Sequence, residues 1–265
     1  MKTDISKIAI SFDDGRQDNV AVINQLMTNE IPATLYVTTG YVDGTCPKDK
    51  LPTTIPAMSV DDVKRLFQSP LIEIGMHGDM HLNEGWDIQN GRDKLLKWLG
   101  LDASYQFGFA SPSTSYPVEE FLSSHDPLFT KKIAYLAMGL RNTSFKKLRS
   151  LSRKAGRVIP SGTLFKTAYQ DTAMTECQDR VIYRVPVLRD TSGEQVIALL
   201  KSVIHSHKAV TLMFHSIGEE SPADSWTWSK SKFDAVCNYL LEERARGTVE
   251  LYTVMQLYQE LKNHS

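Results

Sequence analysis

The 265 residues of the chain suffice for one large domain or two small ones. A hydrophobic content of 42% and a charged content of 23% are those of a soluble globular protein, and a formal net charge of −1 gives no general attraction to nucleic acid or a membrane surface. Three widely spaced cysteines, Cys46, Cys177 and Cys237, form neither a disulfide framework nor a zinc pattern. The start, MKTDISKIAISFDDG, has no long apolar core of a signal peptide, and no stretch is apolar for long enough to span a bilayer. The expectation is a cytoplasmic protein without a transmembrane segment.

Strands and helices alternate along the chain. KIAISF (7–12) reads as a strand and 17–28 as a helix; PATLYVT (32–38) is a β-rich strand. SVDDVKRLF (59–67) opens a helix on Ser59, with Asp62 at the capping-box position. LIEIGM (71–76) is a strand, 90–99 a helix and QFGFA (106–110) a strand. VIYRVPV (181–187) is a further strand, 194–204 a helix, AVTLMF (209–214) a fully buried strand and 232–245 an amphipathic helix; TVELYTV (248–254) is a strand, and a last helix follows. Such alternation implies a parallel sheet with helices outside, and at this length a βα barrel is expected ahead of an open sheet. The chain reads as one domain, 1–265. Two stretches break its rhythm: a proline-bearing loop at 41–58, and an insertion at about 127–170 with ten cations and no acid. That insertion is either a solvated basic face or a patch for an anionic substrate group such as a phosphate.

Three polar clusters follow apolar strands directly: Asp13-Asp14-Gly15, His77-Gly78-Asp79-Met80-His81, and His215-Ser216. In a parallel barrel all these strand ends open on one face, where active sites sit. His77 and His81 are spaced i, i+4, so a helical turn there would place both imidazoles on one side to share a metal; an aspartate from another strand end completes three protein ligands and leaves a position for water. Two adjacent acids make sense if one binds the cation and the other handles protons, with Gly15 allowing the sharp turn. Asp79 reads as a solvent-facing turn residue, His125 as exposed.

These residues resemble the polysaccharide deacetylase family, the NodB-homology enzymes of carbohydrate esterase family 4. The first family motif, T-F-D-D-G, reads Ser11-Phe12-Asp13-Asp14-Gly15; the second, H-S/T-x-x-H, is His77 to His81; the last, a histidine after a buried strand, is Leu212-Met213-Phe214-His215-Ser216. The resemblance implies a distorted (β/α) barrel of NodB type. It implies one divalent metal, usually zinc, on Asp14, His77 and His81, with Asp13 as general base and His215 as general acid. The reaction implied is removal of an acetyl group, N-acetyl ahead of O-acetyl, from a sugar. Tyr116, Leu212, Trp226 and Trp228 are the candidates for substrate contact. Leu212 either lines an acetyl pocket or is plain core, and the two tryptophans either stack on a sugar ring or cover the barrel end.

The sequence departs from the family in two places. Ala110 stands where the third motif offers an arginine to the base aspartate, and Arg141, Arg184 and Arg189 are the candidates to replace it. Gly78 replaces a serine or threonine. The expected function is a metal-dependent sugar deacetylase acting on a cytoplasmic saccharide precursor, possible phosphate included, in surface polysaccharide synthesis. The alternatives are a degenerate fold that binds metal or sugar without turnover, and a metal hydrolase for a non-sugar amide or ester.

Overall fold

A computed structural model of the chain describes residues 5–112, 118–125, 131–139, 150–152, 162–177, 179–220 and 224–263. Seven parallel strands close into a barrel: β1 (Ser6–Phe12), β2 (Ala33–Val37), β3 (Ile72–Met76), β4 (Phe107–Ala110), β5 (Ile133–Met138), β6 (Val181–Pro186) and β7 (Ala209–Phe214), with β7 pairing back on β1. The closure is distorted at β1. Its upper end pairs with β2 through Ser11 and Phe12, while its lower end, Ser6 to Ala9, pairs with an eighth strand, Val249–Tyr252. The expected parallel barrel with helices outside is what forms.

Side-chain parity along the strands divides the residues into two layers. Ile8, Ile10 and Phe12 on β1, Leu35 and Val37 on β2, Ile74 and Met76 on β3, and Val210, Leu212 and Phe214 on β7 join the outer core, against the helices. Those helices include α1 (Asn19–Thr28), α2 (Val60–Phe67), α3 (Gly85–Leu99), α4 (Gly193–His205) and α5 (Lys230–Ala245). The alternate positions face the barrel axis, where Ala9, Ala110, Ala137 and Ala209 surround Tyr36 and Tyr135. A C-terminal helix, α6 (Val254–Lys262), packs Val254, Leu257, Tyr258 and Leu261 against this inner cluster. Most large apolar side chains thus point outward, and the small inward residues leave the axis to the two tyrosine rings.

Local signals in the sequence account for several boundaries. Ser59 and Asp62 form the expected capping box on α2, and the same device starts α4 (Ser192, Gln195) and α6 (Thr253, Gln256). The loop after Val42 includes a short 3-10 turn at Lys48–Lys50. The stretch 127–170 is not merely an insertion. Its IAYLAM segment is barrel strand β5, and Thr163–Tyr169 is a helix that buries Phe165, Ala168 and Tyr169. Of its ten cations only Lys131, Lys132 and Lys166 lie among the described residues. The three cysteines are buried and form no disulfide among the described residues, and no helix among the described residues is long and apolar enough to cross a membrane.

Candidate active site and metal centre

The upper strand ends converge on a cavity of about 210 Å³. Asp13, Asp14, His77, His81 and His215 all line it, from β1, β3 and β7. Pro52 reaches it from the 41–58 loop, Ser111 and Pro112 from beyond β4, and Trp226 from the loop after Gly218.

Asp13 continues the inward parity of Ala9 and Ser11, so its carboxylate enters the top of the barrel. Its N–H donates to Phe214 O at 2.9 Å. The chain then turns sharply, with Asp14 and Gly15 both at positive φ (78° and 88°). Asp14 O accepts from Thr38 N at 3.1 Å, which ties this turn to the end of β2.

The histidine pair sits on a loop, not on a helical turn. Gly78 (φ 82°) and His81 (φ 60°) are both left-handed, and the loop is folded around one carboxylate. Asp87, in the first turn of α3, accepts from the backbone N–H groups of Asp79, Met80 and Leu82. A Cβ at position 78 would lie 2.3 Å from Asp87 Oδ2, so glycine is required where the family has serine or threonine. Asp79 is buried rather than solvent-facing: its Oδ1 accepts from Thr39 Oγ1 at 2.7 Å and pairs with Lys94 at 2.8 Å. His125 is also buried, with Nε2 on Asn83 O at 2.9 Å. An Asp87→Ala substitution removes the acceptor of three loop N–H groups. If the loop holds a divalent metal, the substitution should weaken its binding by about 10–100-fold, the usual cost of losing a group that orients metal ligands, as read by competition with a chromophoric chelator.

His77 Nδ1 bonds Ala110 O at 2.8 Å, which fixes the tautomer with the Nε2 lone pair facing the cavity. His77 Nε2 lies 3.5 Å from Asp14 Oδ1, and His81 Nε2 lies 3.4 Å from the same oxygen. One ligand atom from each of Asp14, His77 and His81 falls within 4.8 Å of the others. Asp14 Oδ1 and His77 Nε2 are buried without a hydrogen-bond partner among the described residues. Two buried acceptors aimed at one point without a donor are costly unless a cation lies between them. A two-histidine, one-carboxylate set suits zinc or cobalt and leaves room for solvent. These residues therefore fit a divalent metal. Burial, together with the neighbouring His77, holds the His81 imidazole down at about 4, so it is already neutral, as a ligand must be.

The other oxygen of Asp14 is occupied. Arg16 donates to Asp14 Oδ2 from Nε and Nη2, both at 2.8 Å, and its Nη1 reaches Ser216 Oγ (3.0 Å) and Asp224 Oδ2 (3.3 Å). Burial opposes the charge on Asp14, but His215, Arg16 and the two facing imidazoles hold its carboxyl down at about 2.

Of the three arginines considered for the vacancy at Ala110, Arg184 is the one placed on the aspartate. It enters from β6, two strands from β1 with β7 between, and donates from Nη1 to Asp13 Oδ1 at 2.6 Å. Both side chains are buried, at 1% and 3% exposure. Burial raises the Asp13 carboxyl; the Arg184 guanidinium, with His77 and His215, more than reverses this and keeps it below the usual range. Arg141 lies outside the described residues.

His215 follows β7 directly, and its ring lies 4.0 Å from that of Trp226, centroid to centroid. Its Nδ1 has no partner among the described residues. Burial pushes the imidazole down to about 4, against the pull of Asp14 and Asp13.

Two substrate-contact candidates are corrected. Leu212 has outward parity and is fully buried between β7 and the helices, so it does not line the cavity. Trp228 is fully buried in the outer core, with its indole N–H donating to Thr191 O at 2.8 Å and its ring 5.4 Å from Phe214, so it does not line the cavity. Trp226 remains half-buried on the cavity wall. Tyr116 lies outside the described residues. The sequence reading missed Arg16 and Asp87. Arg16 sits two residues after Asp14, and Asp87 occupies the acid-favouring first turn of a helix, so both were visible as charges beside the motifs.

Residues 1–118 match the family model described as polysaccharide deacetylase, a span that holds both the Asp13–Gly15 and the His77–His81 motifs. The family resemblance is to the polysaccharide deacetylases. No curated protein matches the chain. Among solved structures, the chain is similar to a family 4 acetyl xylan esterase from Clostridium thermocellum in complex with a cobalt ion, at 14% identity and a TM-score of 0.43, covering 96% of this chain and 90% of that one. It is similar to the catalytic domain of a peptidoglycan N-acetylglucosamine deacetylase from Eubacterium rectale, at 15% identity and 0.42, covering 93% and 86%. It is also similar to a family 4 pseudoenzyme from Bacillus anthracis, at 11% identity and 0.40, covering 78% and 63%.

Proposed function

We propose that the protein is a metal-dependent hydrolase that removes an acetyl group, N-acetyl ahead of O-acetyl, from a sugar or saccharide precursor in cytoplasmic steps of surface polysaccharide synthesis. The observation that carries this reading is the convergence of two unpartnered buried acceptors, Asp14 Oδ1 and His77 Nε2, with His81 at the mouth of a cavity that also holds Asp13 and His215. Metal binding alone requires neither of the last two.

Asp14, His77 and His81 would hold the cation, with zinc the first choice for this donor set. Bound there, it supplies Lewis-acid polarisation of the acetyl carbonyl and lowers the pKa of a water to about 7. Asp13, ionised and fixed by Arg184, takes the proton of the attacking water. His215 is neutral at rest, since burial holds it at about 4. Negative charge that develops beside it during attack favours its imidazolium form, as Asp13 and Asp14 already do, so His215 takes up one proton from solvent as the attack proceeds. It then delivers a proton to the leaving sugar nitrogen, which departs as an amine. Trp226, half-buried on the cavity wall, offers a ring face to the sugar. Ala110 on its own would favour a non-catalytic reading, but Arg184 gives Asp13 the cation that Ala110 withholds.

Acetate release from N-acetylated sugars, both free and linked to nucleoside diphosphates, tests the proposal. His215→Ala should lower kcat by about 100-fold or more, in the range of general acid catalysis. Release that survives His215→Ala at the wild-type rate removes the acid assignment. A panel in which only diphosphate-linked sugars react would identify a phosphate-bearing substrate.

A further inference from the structure

The barrel axis holds a set of polar groups that the chemistry above leaves unused. A parallel barrel is ordinarily filled by branched apolar side chains. Here the inward positions are small: Ala9, Ser11, Gly75, Gly108 and Ala110. Two tyrosines and an arginine take the space instead. The glycines are required for this. A Cβ on Gly75 would lie 2.5 Å from the Tyr36 ring, and one on Gly108 would lie 2.1 Å from that of Tyr135.

The polar groups are connected. The Arg184 guanidinium lies over the face of Tyr36, 5.0 Å from the ring centroid, and its Nε has no hydrogen-bond partner among the described residues. The Tyr36 hydroxyl bonds that of Tyr135 at 2.7 Å, and Tyr135 donates to Glu73 Oε1 at 2.5 Å. Glu73 Oε2 accepts from Thr34 Oγ1 at 2.7 Å and from the N–H of Met255, in the first turn of α6, at 2.8 Å. Burial pushes both phenols well above their ordinary range, so both remain protonated donors. If filling space were the only requirement, apolar rings would serve without the cost of burying two hydroxyls and a guanidinium. The ring face of Tyr36 also lies against the guanidinium, whose hydrogen bonds to Asp13 and Ser11 both leave from Nη1.

We propose that Tyr36, Tyr135 and Glu73 are positioning residues that set the guanidinium of Arg184, and through it the carboxylate of Asp13, by a polar column running from the C-terminal helix to the active site. This rests on the reading of Asp13 as the base. Asp13 is then referenced to the bottom of the barrel as well as to its own strand end.

The test is steady-state kinetics on zinc-loaded protein carrying Tyr36→Leu, Tyr135→Phe and, as a reference, Arg184→Met, with bound zinc and thermal melting measured on each. Tyr36→Leu removes the face beneath the guanidinium. It should lower kcat about tenfold or more, since small misplacements of a reacting group are costly, with KM and zinc content within about twofold of wild type. Tyr135→Phe, one atom smaller, should lower kcat by about threefold under the same constraint. A purely structural column would instead lower the melting temperature and leave kcat per zinc-loaded molecule unchanged; that result overturns the proposal. Should Tyr36→Leu not fold, Tyr135→Phe decides alone. If Arg184→Met itself leaves kcat unchanged, the base assignment has failed; if only Arg184→Met lowers kcat, the column has.

Discussion

Arg184→Met should leave a folded but severely impaired protein. Asp13 would then be a buried carboxylate without its cation. Breaking a buried pair by removing one partner costs about 3–5 kcal/mol, so a clear drop in melting temperature is expected. The kinetic effect has two sources. The Asp13 carboxyl moves up toward its ordinary range and beyond, because burial raises it once the guanidinium is gone. It also loses the 2.6 Å hydrogen bond that orients it. Together these should lower kcat by about 100-fold, the scale of losing an oriented general base. Zinc content should stay near that of wild type, since Asp14, His77 and His81 do not touch Arg184. Combining Arg184→Ala with Ala110→Arg returns a guanidinium to the barrel from β4 instead of β6, and should recover part of the lost activity. Wild-type kcat in Arg184→Met would mean that the ion pair only stabilises the fold and that the base assignment of Asp13 has failed.

Asp13→Asn is expected to have the larger kinetic effect. The amide has nearly the shape of the carboxylate but cannot accept a proton from water. A loss of about 10²–10⁴ in kcat follows for a group that acts as general base. Asp13 Oδ2 lies 4.0 Å from His77 Nε2, farther than the Asp14 contacts, so zinc affinity should change little. Asp14→Asn should behave in the opposite sense, losing zinc first and activity as a consequence. Measuring kcat and bound zinc on the two variants side by side separates the base from the ligand. If zinc is lost in Asp13→Asn and kept in Asp14→Asn, the roles of the adjacent acids are exchanged.

The barrel and its polar strand ends were legible because an apolar strand stopping on acids or histidines is an unusual pattern. Side-chain parity along the strands carries as much information. In AVTLMF the large residues Val210, Leu212 and Phe214 alternate with Ala209, Thr211 and Met213, and the larger set belongs to the roomy outer layer. Read that way, Leu212 faces the helices. Arg184 was visible as a lone charge in VIYRVPV, but it lies 171 residues from Asp13 along the chain and reaches it only because β7 closes on β1, which sequence alone does not give. β5 is hidden because the dense cations around IAYLAM, Lys131, Lys132 and Arg141 among them, mask its short apolar run. The fold of the His77–His81 loop was out of reach. The i, i+4 spacing suggested a helix, whereas Asp87, from the helix that follows, holds the segment in left-handed turns.

The most direct test of the central claim is zinc stoichiometry and acetate release on the same sample. Metal is stripped by a chelator, and zinc or cobalt is then titrated back against an N-acetylated sugar that the native protein turns over. The account predicts one ion bound per chain, no acetate release without it, and activity that rises in proportion to occupancy, with both binding and activity lost in His77→Ala. Acetate release at the full rate from metal-free protein, or stoichiometric binding that His77→Ala leaves intact, would contradict it.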